Sequence, residues 1–257
     1  MKLTAYLVAL AAGLLYAQPH ITNGKVEERP VQGGLAADLQ RLIASQSESA
    51  WIGYAVPIVR QQSSRCWNNG GNNSPIALEP PKSLYVMFRI EQNKLDKIRT
   101  FTPDCQLDAG GTTIHWLTGV TASESVAVLK GYTKDHDGAV TAIALHDDPA
   151  AEDYLIALAR DDKNPRTRGR ALQWLGERTS RKAMGEIQNA LDNDPDTDVK
   201  RKAIAALSRL PKEEGVPMLI AVARTNRNAD IRKQAVQALA RSNDPRALTF
   251  FEEVLKK

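Results

Sequence analysis

A period of 32 residues runs through the second half of this chain and constrains its fold more than any other feature. The segment DTDVKRKAIAALSRLP (196–211) has a counterpart 32 residues earlier, NPRTRGRALQWLGER, and another 32 later, NADIRKQAVQALARS. Ala139, Ala171, Ala203 and Ala235 fill one column of the repeat, and Ile143, Leu175, Leu207 and Leu239 a second. Leu155, Ile187, Leu219 and Phe251 make a third, and Val126, Leu158, Ala190, Val222 and Val254 a fourth. Asp148-Pro149 and Asp244-Pro245 mark the same turn three repeats apart. The pattern reads as helix A, turn, helix B. One such pair cannot bury its own apolar stripe, so neighbouring pairs must stack into one continuous core. Thr121 and Glu124 have the spacing of a capping box that opens the first helix, which ends at Gly131. Residues 121–257 are therefore expected to form an all-α solenoid of about four and a half helix-turn-helix repeats.

Residues 18–119 follow another grammar. Leu35, Leu39, Leu42 and Ile43 form one helical stripe. WIGYAVPIV (51–59) reads as a strand that Pro57 confines to an edge or ends. In SLYVMFRIE, Leu84, Val86, Phe88 and Ile90 alternate on one face, and Gln92-Asn93 turns the chain into a hairpin over 83–102. TTIHWL (112–117) is a last strand, and RCWNNGGNNS (65–74) a Gly/Asn-rich loop. The expectation is a small α+β domain with an antiparallel sheet.

Composition and address narrow the partners. The first 17 residues carry Lys2, an apolar run from Leu3 to Tyr16, and Ala17, the physical character of a secretory signal peptide with Gln18 as the mature start. No later run is apolar for long enough to span a membrane. The net charge of +4 is too mild for a dedicated polyanion binder. An exported address also argues against nucleic acid. In an oxidising compartment the two cysteines, Cys66 and Cys105, are expected to pair, which stabilises by about 4 kcal/mol in the chain-entropy account. Two isolated cysteines lack the paired spacing of a zinc site.

Asp198-Val199-Lys200, then Ala203, then Ala206-Leu207 form a pattern that resembles HEAT repeats, in particular the short HEAT-like type named after phycobilisome lyases. The resemblance covers 121–257 and leaves the N-terminal region unassigned. It implies that B helices line an inner surface. It also implies that the packing-side column Arg168, Lys200 and Arg232 joins an Asp ladder, for which Asp198 and Asp230 match, whereas Arg166 stands where Asp is expected. HEAT-like hydroxylases carry repeated His-Glu pairs for iron, which this chain lacks, and the lyase reaction is cytosolic, against which the leader stands.

The B helices also carry outward cations: Arg166, Arg170, Arg201, Lys202, Arg209, Lys233 and Arg241, against Glu177, Asp198 and Asp230. Arg170, Arg201, Lys202 and Lys233 are therefore candidate binding residues for an acidic partner, a protein or a polyanionic polymer. Trp174 joins them, because it breaks a column otherwise filled by Ala142, Ala206 and Ala238.

Chemistry is harder to find. His136-Asp137 and His146-Asp147 stand about 15 Å apart at the two ends of one helix, so capping and surface roles are expected for them. In PDCQLDAGG (103–111), Asp104 and Asp108 are too few for calcium, and a turn is expected. No catalytic, metal or cofactor motif stands in a fitting context. The sequence therefore points to a secreted or periplasmic, non-catalytic interaction scaffold whose basic inner face binds an acidic partner. The alternative is an extracytoplasmic enzyme with its site in the α+β domain or at its junction with the solenoid; a pocket joining His115 to Asp104 or Asp108 would favour it.

Overall fold

In a computed structural model of the protein, the described residues are 19–59, Cys66, Glu79 and 81–256. The expected signal peptide, and all of the Gly/Asn-rich loop but Cys66, lie outside them. The chain divides after Asp148 into two compact units.

The first unit is built on a five-stranded sheet. Its elements are β1 (Ile21–Thr22), β2 (Lys25–Pro30), α1 (Leu35–Ser45), β3 (Ala50–Pro57), β4 (Ser83–Glu91), β5 (Lys94–Phe101), β6 (Leu107–Asp108), β7 (Thr113–Thr118), α2 (Ala122–Lys130) and α3 (Asp137–Leu145). The strand order is β2-β7-β3-β4-β5, with β1 and β6 paired as a separate parallel ribbon. The hairpin β4–β5 forms as its alternation predicts. Gln92 and Asn93 both take positive φ, 50° and 61°, as a tight two-residue connection requires. The sheet is mixed, however, and not antiparallel as expected. After β5 the chain crosses back and inserts β7 between β2 and β3, parallel to both. Strand β2 was not legible in the sequence: it is an edge strand whose Glu28 and Arg29 face solvent, so KVEERP shows no apolar alternation.

Both faces of the sheet are covered. Ile52 pairs with Phe88 and Tyr54 with Val86 on the face that meets the helices, where α2 contacts β3 and α3 contacts β5. Gly138 makes the second contact possible, since a Cβ there would fall 2.1 Å from the Ile98 carbonyl oxygen. On the other face Trp116 packs edge-on against Tyr85, their ring centroids 5.1 Å apart, among Ala55, Met87, Ala109 and Ile114. Gly53 leaves the space the Trp116 ring needs; a Cβ would sit 3.0 Å from it and 2.4 Å from Met87 Sδ. Cys66 and Cys105 lie at disulfide distance, their Cα atoms 5.3 Å apart.

The helical pattern begins at Thr121, whose side chain and Glu124 form the reciprocal capping box, yet α2 and α3 belong to the sheet unit. They cover its apolar face, and the residues that follow α3 bond back to the end of β3. The Val59 amide donates to the Leu145 carbonyl at 2.9 Å and the Asp147 amide to the Pro57 carbonyl at 3.1 Å.

The second unit is all helical: α4 (Pro149–Asp161), α5 (Pro165–Leu175), α6 (Arg181–Asn193), α7 (Thr197–Leu207), α8 (Lys212–Thr225), α9 (Ala229–Ala240) and α10 (Pro245–Leu255). Five of these starts are written locally. Asn164, Ser180, Asp196, Asn228 and Asp244 accept backbone N–H bonds as N-caps, and Pro165 and Pro245 occupy the first turn of their helices. Helices α5, α7 and α9 pack in sequence against one another, while α4 meets α6 and α8 meets α10. Ala171, Ala203 and Ala235 are fully buried, as are Leu175 and Leu207, with Leu239 1% exposed.

Leu207→Ala is expected to destabilise the protein by about 2–5 kcal/mol, because it empties a fully enclosed site. Leu239→Ala should cost less, having fewer helices beyond it to lose contact with. Urea melts of the two variants against the parent check both; equal and negligible losses would refute the register of the columns.

Candidate functional site

Two sets of cations on α5, α7 and α9 have different fates. The packing-side column does not pair with Asp198 and Asp230, contrary to expectation. Arg168, 8% exposed, donates in a fork to Asp194, at 2.8 and 3.0 Å, and to the carbonyl of Asp162 at 2.9 Å. Arg232 repeats the carbonyl contact with Asn226 at 2.8 Å, and Lys200 donates to the carbonyl of Asp192 at 3.0 Å. These carbonyls belong to the ends of α4, α6 and α8 and lack helical partners. The column thus closes the turn from each A helix into its B helix, where a cation also suits the helix dipole. Asp198 instead pairs with Arg201 at 2.5 Å, and Arg201 reaches Asp230 of the next B helix at 4.0 Å. A ladder exists, but its cation is one column over and on the exposed side.

The outward set meets in a cleft of about 810 Å³ between α5 and α7, closed at one end by Gln234 of α9. Arg166, Arg170, Arg201 and Lys202 line it, against Asp196 and Asp198. Both carboxylates are engaged: Asp196 accepts the Asp198 and Val199 amides as N-cap of α7, and Asp198 holds Arg201. Arg166 and Lys202 form no ion pair among the described residues. Gly169 sets the width of the cleft, since a Cβ there would stand 3.0 Å from Lys202 Cγ. Three of the residues chosen from sequence, Arg170, Arg201 and Lys202, therefore come together. Lys233 is exposed on α9 and Trp174 half-buried on α5, and neither lines the cleft. Gln234 was missed, although it continues the column of Arg170 and Lys202.

The sheet unit holds polar chemistry of another kind. His146, expected at the surface, is fully buried. Its Nδ1 lies 2.6 Å from the Ala142 carbonyl and its Nε2 2.7 Å from Ser125 Oγ, which is 2.7 Å from the Tyr54 hydroxyl. A neutral imidazole satisfies the chain throughout: Nδ1 donates to the carbonyl, Ser125 donates to Nε2, and Tyr54 donates to Ser125. Burial pushes the Tyr54 phenol up, which keeps that donor protonated. The arrangement has the contacts of a nucleophile and base, and Ser125 and His146 are both 0% exposed.

His115 is 4% exposed and its ring nitrogens have no hydrogen-bond partner among the described residues. Its Nδ1 approaches Glu27 only to 3.4 Å. Hydrogen bonds from Lys25 and then Arg29 hold the Glu27 carboxyl down at about 2. Burial, with Arg29 adding to it, depresses the His115 pKa against the pull of Glu27. The cleft that Asp108 lines, with Trp51 and Phe101, does not include His115. Asp108 accepts the Gly110 amide at 2.7 Å, the turn expected there. Asp104 lies beside Cys66 and Cys105, whose sulfur atoms are joined to each other and offer no thiolate.

Comparison with known proteins places one part of this structure. Residues 186–257 match the family model for HEAT repeats, so the chain carries a HEAT-repeat segment, spanning α7 to α10 and most of α6. Helices α7 and α9, which contribute Arg201, Lys202 and Gln234 to the cleft, lie inside it. No curated protein matches the chain. No helix among the described residues is long and apolar enough to cross a membrane.

The two cation sets should separate in melts. Arg168→Met leaves Asp194 buried without its partner and should cost about 3 kcal/mol or more, whereas Arg201→Met, on the surface, should stay within about 1 kcal/mol. Equal losses in denaturant would contradict the assignment. The depressed His115 gives a pH signature. The unfolded state takes up a proton near pH 6.5 that the folded state resists, so this stability is complete above that pH and is lost as pH falls below it. Urea melts at pH 7.5 and pH 5 should show the loss, and His115→Leu should reduce it.

Proposed function

We propose that this protein is a non-catalytic interaction scaffold acting outside the cytoplasm, a stacked array of helix pairs whose basic cleft receives an acidic partner protein. The observation that carries the reading is the convergence of Arg166, Arg170, Arg201 and Lys202 from consecutive B helices on one cleft whose two carboxylates are already engaged. HEAT repeats suggest an interaction role in general; the charge gives this one its sign. Cationic side chains along a groove steer an acidic chain and fix its register. The apolar leader at residues 1–17 supports export, and export in turn favours protein over nucleic acid as the acidic partner. The sealed Ser125–His146 pair and the lack of a catalytic motif support a scaffold over an enzyme.

The test is cross-linking and pull-down from the native extracytoplasmic fraction, with Arg170→Glu/Lys202→Glu beside the parent. Acidic proteins should be captured by the parent, released by added salt, and lost by about tenfold or more in the double variant. Its melt should stay within about 1 kcal/mol of the parent, since both side chains are exposed. A captured set indifferent to both salt and charge reversal overturns the reading.

A further inference from the structure

Ala205 lines the basic cleft on one side and, on the other, a second cleft of about 520 Å³ formed by the C-terminal ends of α7 and α9 and the first turns of α8. The two clefts are contiguous along α7 but differ in chemistry. The floor of the second is apolar: Leu207, Leu210, Val216 and Leu219, each 5% exposed or less. Its rim carries Arg209, Lys212 and Arg241, and no carboxylate lines it.

The repeat explains the imbalance. Glu177, Arg209 and Arg241 occupy one column at the 32-residue spacing. Between the first two members the column forms an ion pair, Glu177 Oε1 standing 3.5 Å from Arg209 Nε. At the next step the column offers a second guanidinium and no acid. Arg241 forms no ion pair among the described residues, and Pro211 leaves the start of α8 without a side-chain acceptor for its amides. Like charges brought to one cleft repel unless an anion stands between them. An apolar floor beneath a cationic rim suits a group that presents an apolar side chain and a carboxylate together.

We propose that the second cleft anchors the partner's carboxyl-terminal residue: an apolar side chain on the Leu207–Leu219 floor, its α-carboxylate between Arg209 and Arg241, with the acidic stretch before it lying along the first cleft. The inference rests on the reading of the first cleft as the acid-binding one. It adds a partner chemistry, an acidic peptide that ends in an apolar residue with a free carboxylate.

Fluorescence anisotropy on the full chain tests it with three labelled peptides: polyglutamate ending in an amide, the same peptide ending in phenylalanine with a free carboxylate, and the phenylalanine peptide as its amide. The free-acid phenylalanine peptide should bind about tenfold or more tightly than polyglutamate, from apolar burial and the carboxylate contact together. Amidation should remove most of that gain, because the charged half of the contact is lost. Arg241→Glu should abolish the gain while leaving polyglutamate binding as in the parent, and Arg241→Lys should keep part of it. Melts of both variants establish that they fold, and the milder Arg241→Gln serves if charge reversal does not. Arg170→Glu/Lys202→Glu should weaken all three peptides. A phenylalanine peptide no tighter than polyglutamate overturns the anchor and leaves the first cleft standing; so does an amide that binds as well as the acid. Binding of the free-acid peptide through Arg241, with none by polyglutamate, sustains the anchor and overturns the first cleft.

Discussion

Gly169 in α5 and Gly176 at its end let α7 lie directly against α5, where a Cβ would stand 3.0 Å from Lys202 Cγ and 2.7 Å from the Ala206 carbonyl oxygen, and the cleft chemistry follows from that approach. Arg170 and Lys202 thereby share one cleft, and Gly169 brings the stem of Lys202 to the surface of α5. The packing requirement and the presentation of charge meet at these two glycines.

The same repeat separates cations that look alike in sequence. Those one position earlier in the helix fold back to the carbonyls that end the preceding A helix, where they satisfy groups that helix geometry leaves open. Those one or two positions later face outward and bear the charge of the cleft. The two roles lie a single residue apart because about 100° of rotation separates neighbours on a helix. Arg168 and Asp194 add a forked ion pair at 10% and 5% side-chain exposure, which ties the turn between α4 and α5 to the turn between α6 and α7.

The sheet unit draws on different physics. Its central strands are buried on both faces, so the polar groups its core retains must be satisfied internally. Tyr54, Ser125 and His146 bond in a chain that ties β3 to α2 and to the end of α3. His115 is the exception, a buried imidazole without a hydrogen bond among the described residues, its pKa depressed by burial beside a Glu27 held down by Lys25 and Arg29.

The sequence by itself determined the helices, the capping box at Thr121 and the buried columns of Ala171 and Leu175, because period, N-cap residue and turn proline are local signals, whereas the column of Val126 ends exposed at Val254. It also picked out Arg170, Arg201 and Lys202, since a helical wheel fixes which side chains face outward. The tertiary structure alone decided the rest. Strand β2 carries no apolar alternation, and only its pairing with β7 makes it a strand. Arg168 meets Asp194, 26 residues away, and not the Asp column, because the turn brings those groups together while the column faces solvent. His146 has the look of a helix-end histidine in sequence, yet the return of the chain to β3 buries it. In each case the deciding partner is distant along the chain, and a period can specify which face a residue occupies but not which distant group that face will meet.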